Sequence, residues 1–349
     1  MADTFKFRID HHGSLVRPAE VLNARARHAA GELDAAGLRA VEDEAIVEAI
    51  KYQRKLRYSV VTDGDFRGED FRSTVLDTVG GFRRTEEKDG YGRARWVVEG
   101  ELKADRPLVA IDPAVAAELT KTAAPKATLP SPAFLAATCY DPAVSGAAYK
   151  SPVEFGEALA RILREEIQRL IVGGVRLIQL NNFRYASYLF GRGGQPLTLE
   201  EAVAIDSLAV SLDSKPENVR IGVCPTHKAG DTVDAEAAAR LFGELPVDRW
   251  VLPYAHGTQS EVDLLRALPA DRDAALGIVD ATVPELEDVE AIMQRMDVAA
   301  ELKDIEDLAV APNAGFSDLV GAAALSADDQ RRKLVHVETI ARMCWGNEL

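Results

Sequence analysis

Short apolar runs alternate with longer stretches of helical periodicity along most of this chain. The runs are rich in Val, Ile and Leu, which is typical of parallel strands buried on both faces. They predict eight strands, at residues 5–9, 59–63, 127–130, 177–181, 220–224, 250–254, 275–280 and 308–312. Eightfold alternation of strand and helix favours a closed barrel over an open doubly wound sheet. We therefore predict an α/β fold, a single (β/α)8 TIM barrel over residues 1–349.

Helical patterns fill the gaps between the predicted strands. Apolar positions recur every three to four residues at 41–56, 153–171, 199–212, 235–245, 286–300 and 327–345. Residues 18–31 and 34–56 are predicted to form a helical pair before the second strand. Ser326 followed by Asp329 is typical of a helix N-cap and the acid in its first turn.

One stretch departs from this alternation. Between residues 80 and 108, the turn-forming sequence K-D-G-Y-G at 88–92 is flanked by β-prone residues that include Trp96, Val97 and Val98. Such a turn between two β-prone segments predicts a hairpin. We therefore predict a β-hairpin insertion at 80–108, after the second strand of the barrel.

Charge and composition narrow the possible partners. The formal net charge is −15, which argues against nucleic acid or an anionic membrane as partner but says little about a small substrate. The partner expected of a barrel enzyme is a small-molecule substrate. No apolar run is long enough to span a membrane, and the N-terminus lacks the apolar segment of a secretory signal. Three scattered cysteines fit no disulfide framework, so a reducing cytoplasm is expected. Barrels of this kind often pair, which leaves a homodimer open.

Polar residues gather where the predicted strands end, which is where barrel enzymes place their active sites. Four of the six histidines follow strands. The candidate acid–base residues are His11, His12, Asp63 and Asp65. The candidate substrate-binding residues are Ser14, Arg17, Arg67, Asn181, Asn182 and Tyr254. The candidate metal ligands are Cys224, His227 and His256, whose thiol and imidazoles suit zinc.

Each of these candidates also fits a structural role. Asp63 and Asp65 could cap the helix that follows them. Cys224 could be a small apolar filler. The histidines could form hydrogen bonds within loops, and Arg67 could be a surface charge.

Several motifs resemble the catalytic half of cobalamin-independent methionine synthase in its stand-alone form. H-H-G-S-L-V-R-P at 11–18 and T-D-G-D-F-R at 62–67 are similar to that family's H-V-G-S-L-L-R-P and T-D-G-E-F-R segments. L-A-V-A-P-N-A-G-F at 308–316 and the W-G pair at 345–346 are similar to its final segments. The resemblance covers nearly the whole chain in consistent order. It implies a (β/α)8 barrel and methyl transfer to a zinc-bound thiol.

The zinc ligands that this resemblance implies are mostly missing. The family's H-x-C reads Gly222-Val223-Cys224, its L-E-Y-D reads Leu252-Pro253-Tyr254-Ala255, and its Q-C-G-F reads Asn313-Ala314-Gly315-Phe316. Only Cys224 is kept. The family's Q-L-D-E, whose acids hold the amino-acid thiol, reads Gln179-Leu180-Asn181-Asn182. A degenerate zinc site of this kind argues against a true methionine synthase.

Three hypotheses follow. The first is a methyl or alkyl transferase, or a C–S lyase, that acts on a small organosulfur or related compound. The second is a barrel enzyme with a relocated zinc site at Cys224, His227 and His256. The third is a non-catalytic small-molecule binding protein on a decayed scaffold.

Overall fold

The computed structural model describes residues 7–109, 123–321 and 323–346. Seven strands form one parallel sheet in the order β1-β4-β5-β6-β7-β8-β9, and the other two form a separate antiparallel pair. The strands are β1 (Val60–Val61), β2 (Gly80–Lys88), β3 (Ala94–Lys103), β4 (Ala124–Pro130), β5 (Leu177–Asn181), β6 (Arg220–Cys224), β7 (Arg249–Pro253), β8 (Asp273–Val279) and β9 (Leu308–Pro312). Their sequential order along the parallel sheet is the order expected of repeated strand–helix units.

The parallel sheet is curled, because its two edges approach the same segment near the N-terminus. Ile9 forms a parallel bridge with Val310 of β9. The amide of Ile9 also donates to Ser59 Oγ at 3.2 Å, directly before β1. The predicted strand 5–9 begins outside the described residues, and its described part forms this bridge rather than a regular strand.

The strands β1, β7 and β8 end one or two residues earlier than the sequence predicts, and at β1 and β8 side chains are the reason. The amide of Thr62 donates to Gln53 Oε1 at 3.0 Å, so Val61 is the last residue of β1. The amide of Asp280 donates to Glu287 Oε1 at 2.7 Å beyond the end of β8. Side-chain acceptors therefore replace backbone hydrogen bonds at the carboxyl ends of these strands. We call this end of the sheet its mouth.

Helices cover the outer face of the sheet. They are α1 (Ala19–Ala29), α2 (Ala35–Lys55), α3 (Ser73–Leu76), α4 (Pro132–Cys139), α5 (Pro142–Ser145), α6 (Pro152–Val172), α7 (Tyr185–Leu189), α8 (Leu199–Val210), α9 (Ala235–Glu244), α10 (Gln259–Arg266), α11 (Val289–Leu302) and α12 (Ala327–Trp345). Ser326 caps α12 as predicted, with its side chain accepting from the Asp329 amide. Within the described ranges, no helix combines the length and the apolar character that a bilayer crossing requires.

The antiparallel pair β2–β3 packs against the helices α4 and α5 through its second strand. Ser145 Oγ donates to the Val98 carbonyl at 2.6 Å, and the amide of Leu102 donates to Tyr149 Oη at 3.0 Å. Arg72 Nη2 donates to the carbonyl of Ala94, at the start of β3. The turn of the pair is thereby held near the loop that follows β1.

Candidate active site at the carboxyl ends of the strands

The loop after Ile9 and the loop after β1 are bound together at the mouth of the sheet. Thr62 Oγ1 donates to the Gly13 carbonyl at 2.7 Å. Gly13 has φ +125°, and a Cβ on it would lie 2.7 Å from Thr128 Cγ2 and 3.4 Å from Asp65 Oδ2. Glycine is therefore needed here both for its backbone conformation and for the close approach to Asp65.

Asp65 is placed by its backbone conformation and two hydrogen bonds. Its backbone has φ +55°, and its amide donates to Asp63 Oδ1 at 3.0 Å. Its Oδ1 accepts from Thr128 Oγ1 at 3.1 Å. Burial and the neighbouring Asp63 carboxylate raise the pKa of Asp65 to about 7, although Arg17 acts in the opposite direction. Asp65 can therefore gain or lose a proton near neutral pH, as a general acid or base must.

Ser14, Asp318 and His227 form a polar line across the mouth. Ser14 Oγ donates to Asp318 Oδ1 at 2.9 Å, and Asp318 Oδ2 lies 3.7 Å from His227 Nδ1. Asp318 was missed by the sequence reasoning, because it lies six residues after β9 in a loop and the quoted family-like segment ends at Phe316.

His12, Cys224 and His227 lie together beside this line. The rings of His12 and His227 meet edge to face, with centroids 4.9 Å apart. Burial lowers the pKa of both imidazoles and raises that of the Cys224 thiol, so all three groups are uncharged at neutral pH. His256 lies outside this group: it is 54% exposed, and its Nε2 is 3.9 Å from Asp280 Oδ2. The structure thus joins His12, not His256, to the predicted pair Cys224 and His227.

His11 lies deeper than His12 and already has a protein partner. Its Nε2 is 2.8 Å from Gln53 Oε1, which also accepts from the Thr62 amide. Burial and the nearby Lys126 ammonium lower the pKa of His11 to about 4. His11 therefore stays neutral and connects its loop to α2.

The two predicted anion-binding arginines are both engaged by the protein. Arg17 is buried and donates to the carbonyls of Ser317, Asp65 and Gly68 at 2.8 to 3.1 Å. Arg67 Nη2 is 2.5 Å from Asp43 Oδ1. These contacts give Arg17 a structural role that holds the loops carrying the site.

Two of the predicted substrate-binding residues point away from the mouth. Asn182 donates from Nδ2 to Ser131 Oγ at 2.9 Å and to Asp206 Oδ2 at 3.0 Å, in a buried network behind the sheet. Tyr254 is fully buried; burial and Glu261, on α10, raise its pKa. A strand residue and its successor face opposite sides of the sheet, which is why only one of Asn181 and Asn182 can face the interior.

Asn181 stays on the interior side. Its Oδ1 accepts from Gln179 Nε2 at 2.7 Å, and that amide also lies 3.5 Å from the His12 carbonyl. Asn181 therefore contacts the interior of the sheet just below the loop that carries His12.

The aromatic wall of the mouth connects the site to the β2–β3 pair. Phe183 packs on His227 with ring centroids 4.2 Å apart, and Phe71 packs on Phe183 at 5.1 Å. The guanidinium of Arg93, in the turn between β2 and β3, lies 5.5 Å from the Phe71 ring centroid. The turn of the antiparallel pair thus borders the site.

A curled parallel sheet with helices outside and polar loops gathered at its carboxyl ends defines an α/β protein with a site at that end. The chain belongs to the family of cobalamin-independent synthase catalytic domains, whose model matches residues 12–335. This agrees with the resemblance drawn from the motifs at 11–18 and 62–67.

Relatives and solved structures match across nearly the full chain. The uncharacterized protein YxjH of Bacillus subtilis is 28% identical over 97% of this chain and 95% of its own length. A methionine synthase of Sulfolobus acidocaldarius is 23% identical over 90% and 86%. A Listeria monocytogenes structure covers 98% of both chains at 24% identity with a TM-score of 0.73. A B12-independent methionine synthase of Shewanella, in complex with selenomethionine, covers 97% of both at 18% identity and the same TM-score.

The residues present do not fit the zinc site that the family resemblance implies. Gly222, Pro253 and Ala314 stand at three of its four ligand positions. A side chain at position 222 would also be tightly placed, because a Cβ there would lie 3.3 Å from the Arg249 carbonyl oxygen and 3.4 Å from the Arg249 Cβ. Three lost ligands exclude tight zinc binding in that geometry.

Proposed function

We propose that this chain is a methionine-synthase-like enzyme that is not itself a methionine synthase. Its reaction is methyl or alkyl transfer, or C–S cleavage, on a small organosulfur or related compound. The family membership and the Sulfolobus methionine synthase support the transfer chemistry. We also propose that the chain forms a complete eight-stranded barrel. The segment that contains Ile9 would then take the eighth strand position, between β9 and β1.

The observation that carries the proposal is the environment of Asp65. Its carboxyl group accepts a hydrogen bond from Thr128 and lies close to Gly13. Burial and the neighbouring Asp63 carboxylate raise its pKa to about 7. Ionisable pairs whose environments shift their pKa values are typical of acid–base sites. Asp65 is proposed as the proton donor or acceptor, with Asp63 beside it.

Two features argue against methionine synthesis itself. Amides replace both acids of the family's Q-L-D-E segment, at Asn181 and Asn182, so no carboxylate stands there to pair with a substrate ammonium. Asn182 also faces away from the mouth. The substrate specificity has therefore changed while the acids after β1 remain.

A cavity borders the site on the side of Asp63 and Asp65, between the loop after β1 and the helices α2, α3 and α6. This cavity of about 500 Å³ is lined by Asp63, Asp65, Arg67 and Phe71 among others. Ligand-binding clefts of roughly 300–1,000 Å³ accept small molecules.

The test is a turnover assay with the purified full chain. Small thiols and thioethers are incubated with N-methyl folate and sulfonium donors, and products are followed by mass spectrometry. We expect consumption of one substrate class by the wild type, a loss of at least 100-fold in Asp65→Asn, and no loss in Asp213→Asn, which changes an exposed acid.

Undiminished turnover in Asp65→Asn would overturn the proposed role. Ligand-induced thermal stabilisation without consumption of any compound would show a binding protein instead. Efficient methylation of homocysteine would show a true methionine synthase.

A further inference from the structure

Three side chains from two separate segments converge at the mouth of the sheet. His12 comes from the loop after Ile9, Cys224 is the last residue of β6, and His227 follows three residues later. One potential ligand atom from each lies within 4.8 Å of the others. In a tetrahedral zinc site with bonds of about 2.0–2.3 Å, ligand atoms are roughly 3.3–3.8 Å apart. Side-chain shifts of about 1 Å would therefore bring these three atoms around one ion.

The burial of His12 is the second, independent observation. The residue is 6% exposed, and neither ring nitrogen has a hydrogen-bond partner of ordinary geometry among the described residues. A backbone group of Pro312 lies close enough to raise the pKa of His12 slightly, against the larger lowering by burial. Burying a polar group without a partner costs free energy, so this ring lacks a partner that the site should supply.

The surroundings of His227 orient its ring for such a role. Asp318 Oδ2 faces Nδ1 at 3.7 Å, and Asp318 is itself held by Ser14 Oγ. A carboxylate hydrogen-bonded to one nitrogen of an imidazole fixes the tautomer and leaves the other nitrogen as the ligand. Asp318 would have to approach His227 by roughly 0.5–1 Å to form that bond. Phe183 packs against the same ring and limits its rotation.

We propose that His12, Cys224 and His227 form a new three-ligand site for a transition-metal ion, with zinc the preferred ion. Two imidazoles and a thiol suit zinc and exclude the oxygen-seeking ions Mg²⁺ and Ca²⁺ as preferred occupants. Three protein ligands leave a fourth position for water or a substrate thiol, as in catalytic zinc sites. The site's metal binding stands on its own geometry, while its role toward a thiol substrate rests on the proposed function.

This site differs from the one that the family resemblance implies. It shares only Cys224 with that ligand set, and His12 stands where the family's H-V-G-S motif has Val. His256 is no part of it, because that ring is exposed and faces Asp280. The lost ligands and the convergence of His12, Cys224 and His227 thus describe a displaced metal position at the same end of the sheet.

The test is direct metal binding to the full chain, purified without a histidine tag. Metal is removed with a chelator, zinc is titrated in competition with a chromophoric chelator, and bound metal is counted by mass spectrometry. The ligand variants are His12→Gln, Cys224→Ser and His227→Gln. The matched controls are His256→Gln and Cys344→Ser, which change an exposed histidine and a cysteine outside the group.

We expect close to one zinc per chain in the wild type and both controls. Each ligand variant should weaken binding at least 100-fold, and Asp318→Asn should weaken it about 10- to 100-fold, because that carboxylate only orients His227. Cobalt in the wild type should show a thiolate charge-transfer band that Cys224→Ser lacks and His256→Gln keeps. If a ligand variant fails to fold, the cobalt spectrum of the wild type still decides.

Substoichiometric zinc in the wild type, a wild-type cobalt spectrum without the thiolate band, or undiminished binding in all three ligand variants would overturn the site. The two proposals can fail separately. Turnover in the wild type with no bound metal would overturn the metal site alone. One bound zinc per chain in a protein that consumes no substrate would overturn the proposed function alone.

Discussion

Lys126 donates from Nζ to Asp10 Oδ1 at 2.6 Å, and both side chains are almost completely buried inside the curled sheet. The same ammonium donates to the His11 carbonyl at 2.6 Å. Burial raises the pKa of Asp10, yet Lys126 and Arg249 outweigh it and lower the pKa below its usual value. This ion pair therefore holds the loop that carries His11 and His12 from the interior of the sheet.

Removing one partner of this pair should be strongly destabilising. Lys126→Met leaves Arg249, whose Nη1 is 3.6 Å away, as the remaining cation beside the buried Asp10 carboxylate, which also accepts from the His11 amide. We expect a loss of about 3–5 kcal/mol in the free energy of unfolding, measured by urea denaturation. The double variant Asp10→Asn/Lys126→Met should recover part of that loss, since it leaves no unpaired charge.

The control for this experiment is Lys51→Met, which removes an exposed pair with Glu48 on α2. Such a pair contributes at most about 1 kcal/mol. Equal losses in Lys51→Met and Lys126→Met would contradict the importance assigned to the buried pair.

Asp65 should make stability depend on pH in a defined direction. Its folded pKa of about 7 is raised above the ordinary value of 3.8, so the folded protein holds a proton that the unfolded chain has released between these pH values. Its contribution to stability is fully present below about pH 4 and is lost as the pH rises through 7. Asp65→Asn should therefore be more stable than the wild type at pH 8, by about 1–2 kcal/mol because the side chain is partly exposed, and similar to it at pH 4.

Thermal unfolding of the two proteins across this pH range is the measurement. Thr128→Val is a useful companion variant, since it removes the hydroxyl that donates to Asp65 Oδ1. It should raise the pKa of Asp65 further, so the stability loss should continue to higher pH and become larger in total. A pH-independent difference between wild type and Asp65→Asn would contradict the raised pKa.

Asn181 and Asn182 should respond oppositely to substitution, although they are neighbours in the sequence. Asn182→Ala removes donors to Ser131 Oγ and Asp206 Oδ2 inside a fully buried network. We expect it to lose about 1–3 kcal/mol of stability. Asn181→Ala removes one acceptor near the mouth, so its effect should fall on ligand affinity. A stable Asn182→Ala with impaired turnover would reverse this assignment.

The parallel strands were predictable because their apolar runs are continuous and bounded by polar residues. β5, β6 and β9 have the predicted bounds, and the predicted cap Ser326 begins α12. The segment predicted as a strand at 5–9 was harder to predict, because Ile9 donates to a side chain, Ser59 Oγ, and not to a neighbouring strand on that side. A hydrogen bond to a side chain produces no periodic pattern in the sequence.

The site was only partly predictable, for reasons of geometry. Strand ends correctly indicated where polar residues gather, and the motif with Asp65 lies there. Side chains along a strand alternate between the two faces of the sheet. A continuous apolar run does not show which face each residue takes, so the sequence could not tell whether Asn182 or Tyr254 faces the interior. Asp318 and Lys126 carried no motif signal, since one lies in a loop and the other is the third residue of β4.

Gly315 should be required for the geometry of the mouth. A Cβ at this position would lie 2.1 Å from Ser14 Oγ and 2.2 Å from Asp318 Oδ1. Gly315→Ala must therefore separate these two side chains and release the carboxylate that faces His227. We expect a stability loss of about 1–3 kcal/mol and weaker zinc binding, measured by thermal unfolding and by chelator competition.

Gly243→Ala is the matched control, because Gly243 lies in α9 with no atom within 4 Å of the new Cβ. That change should stabilise the helix by about 0.5–1 kcal/mol. If Gly315→Ala were as stable as Gly243→Ala and bound zinc as the wild type does, the contact between Ser14 and Asp318 would have no part in shaping the site.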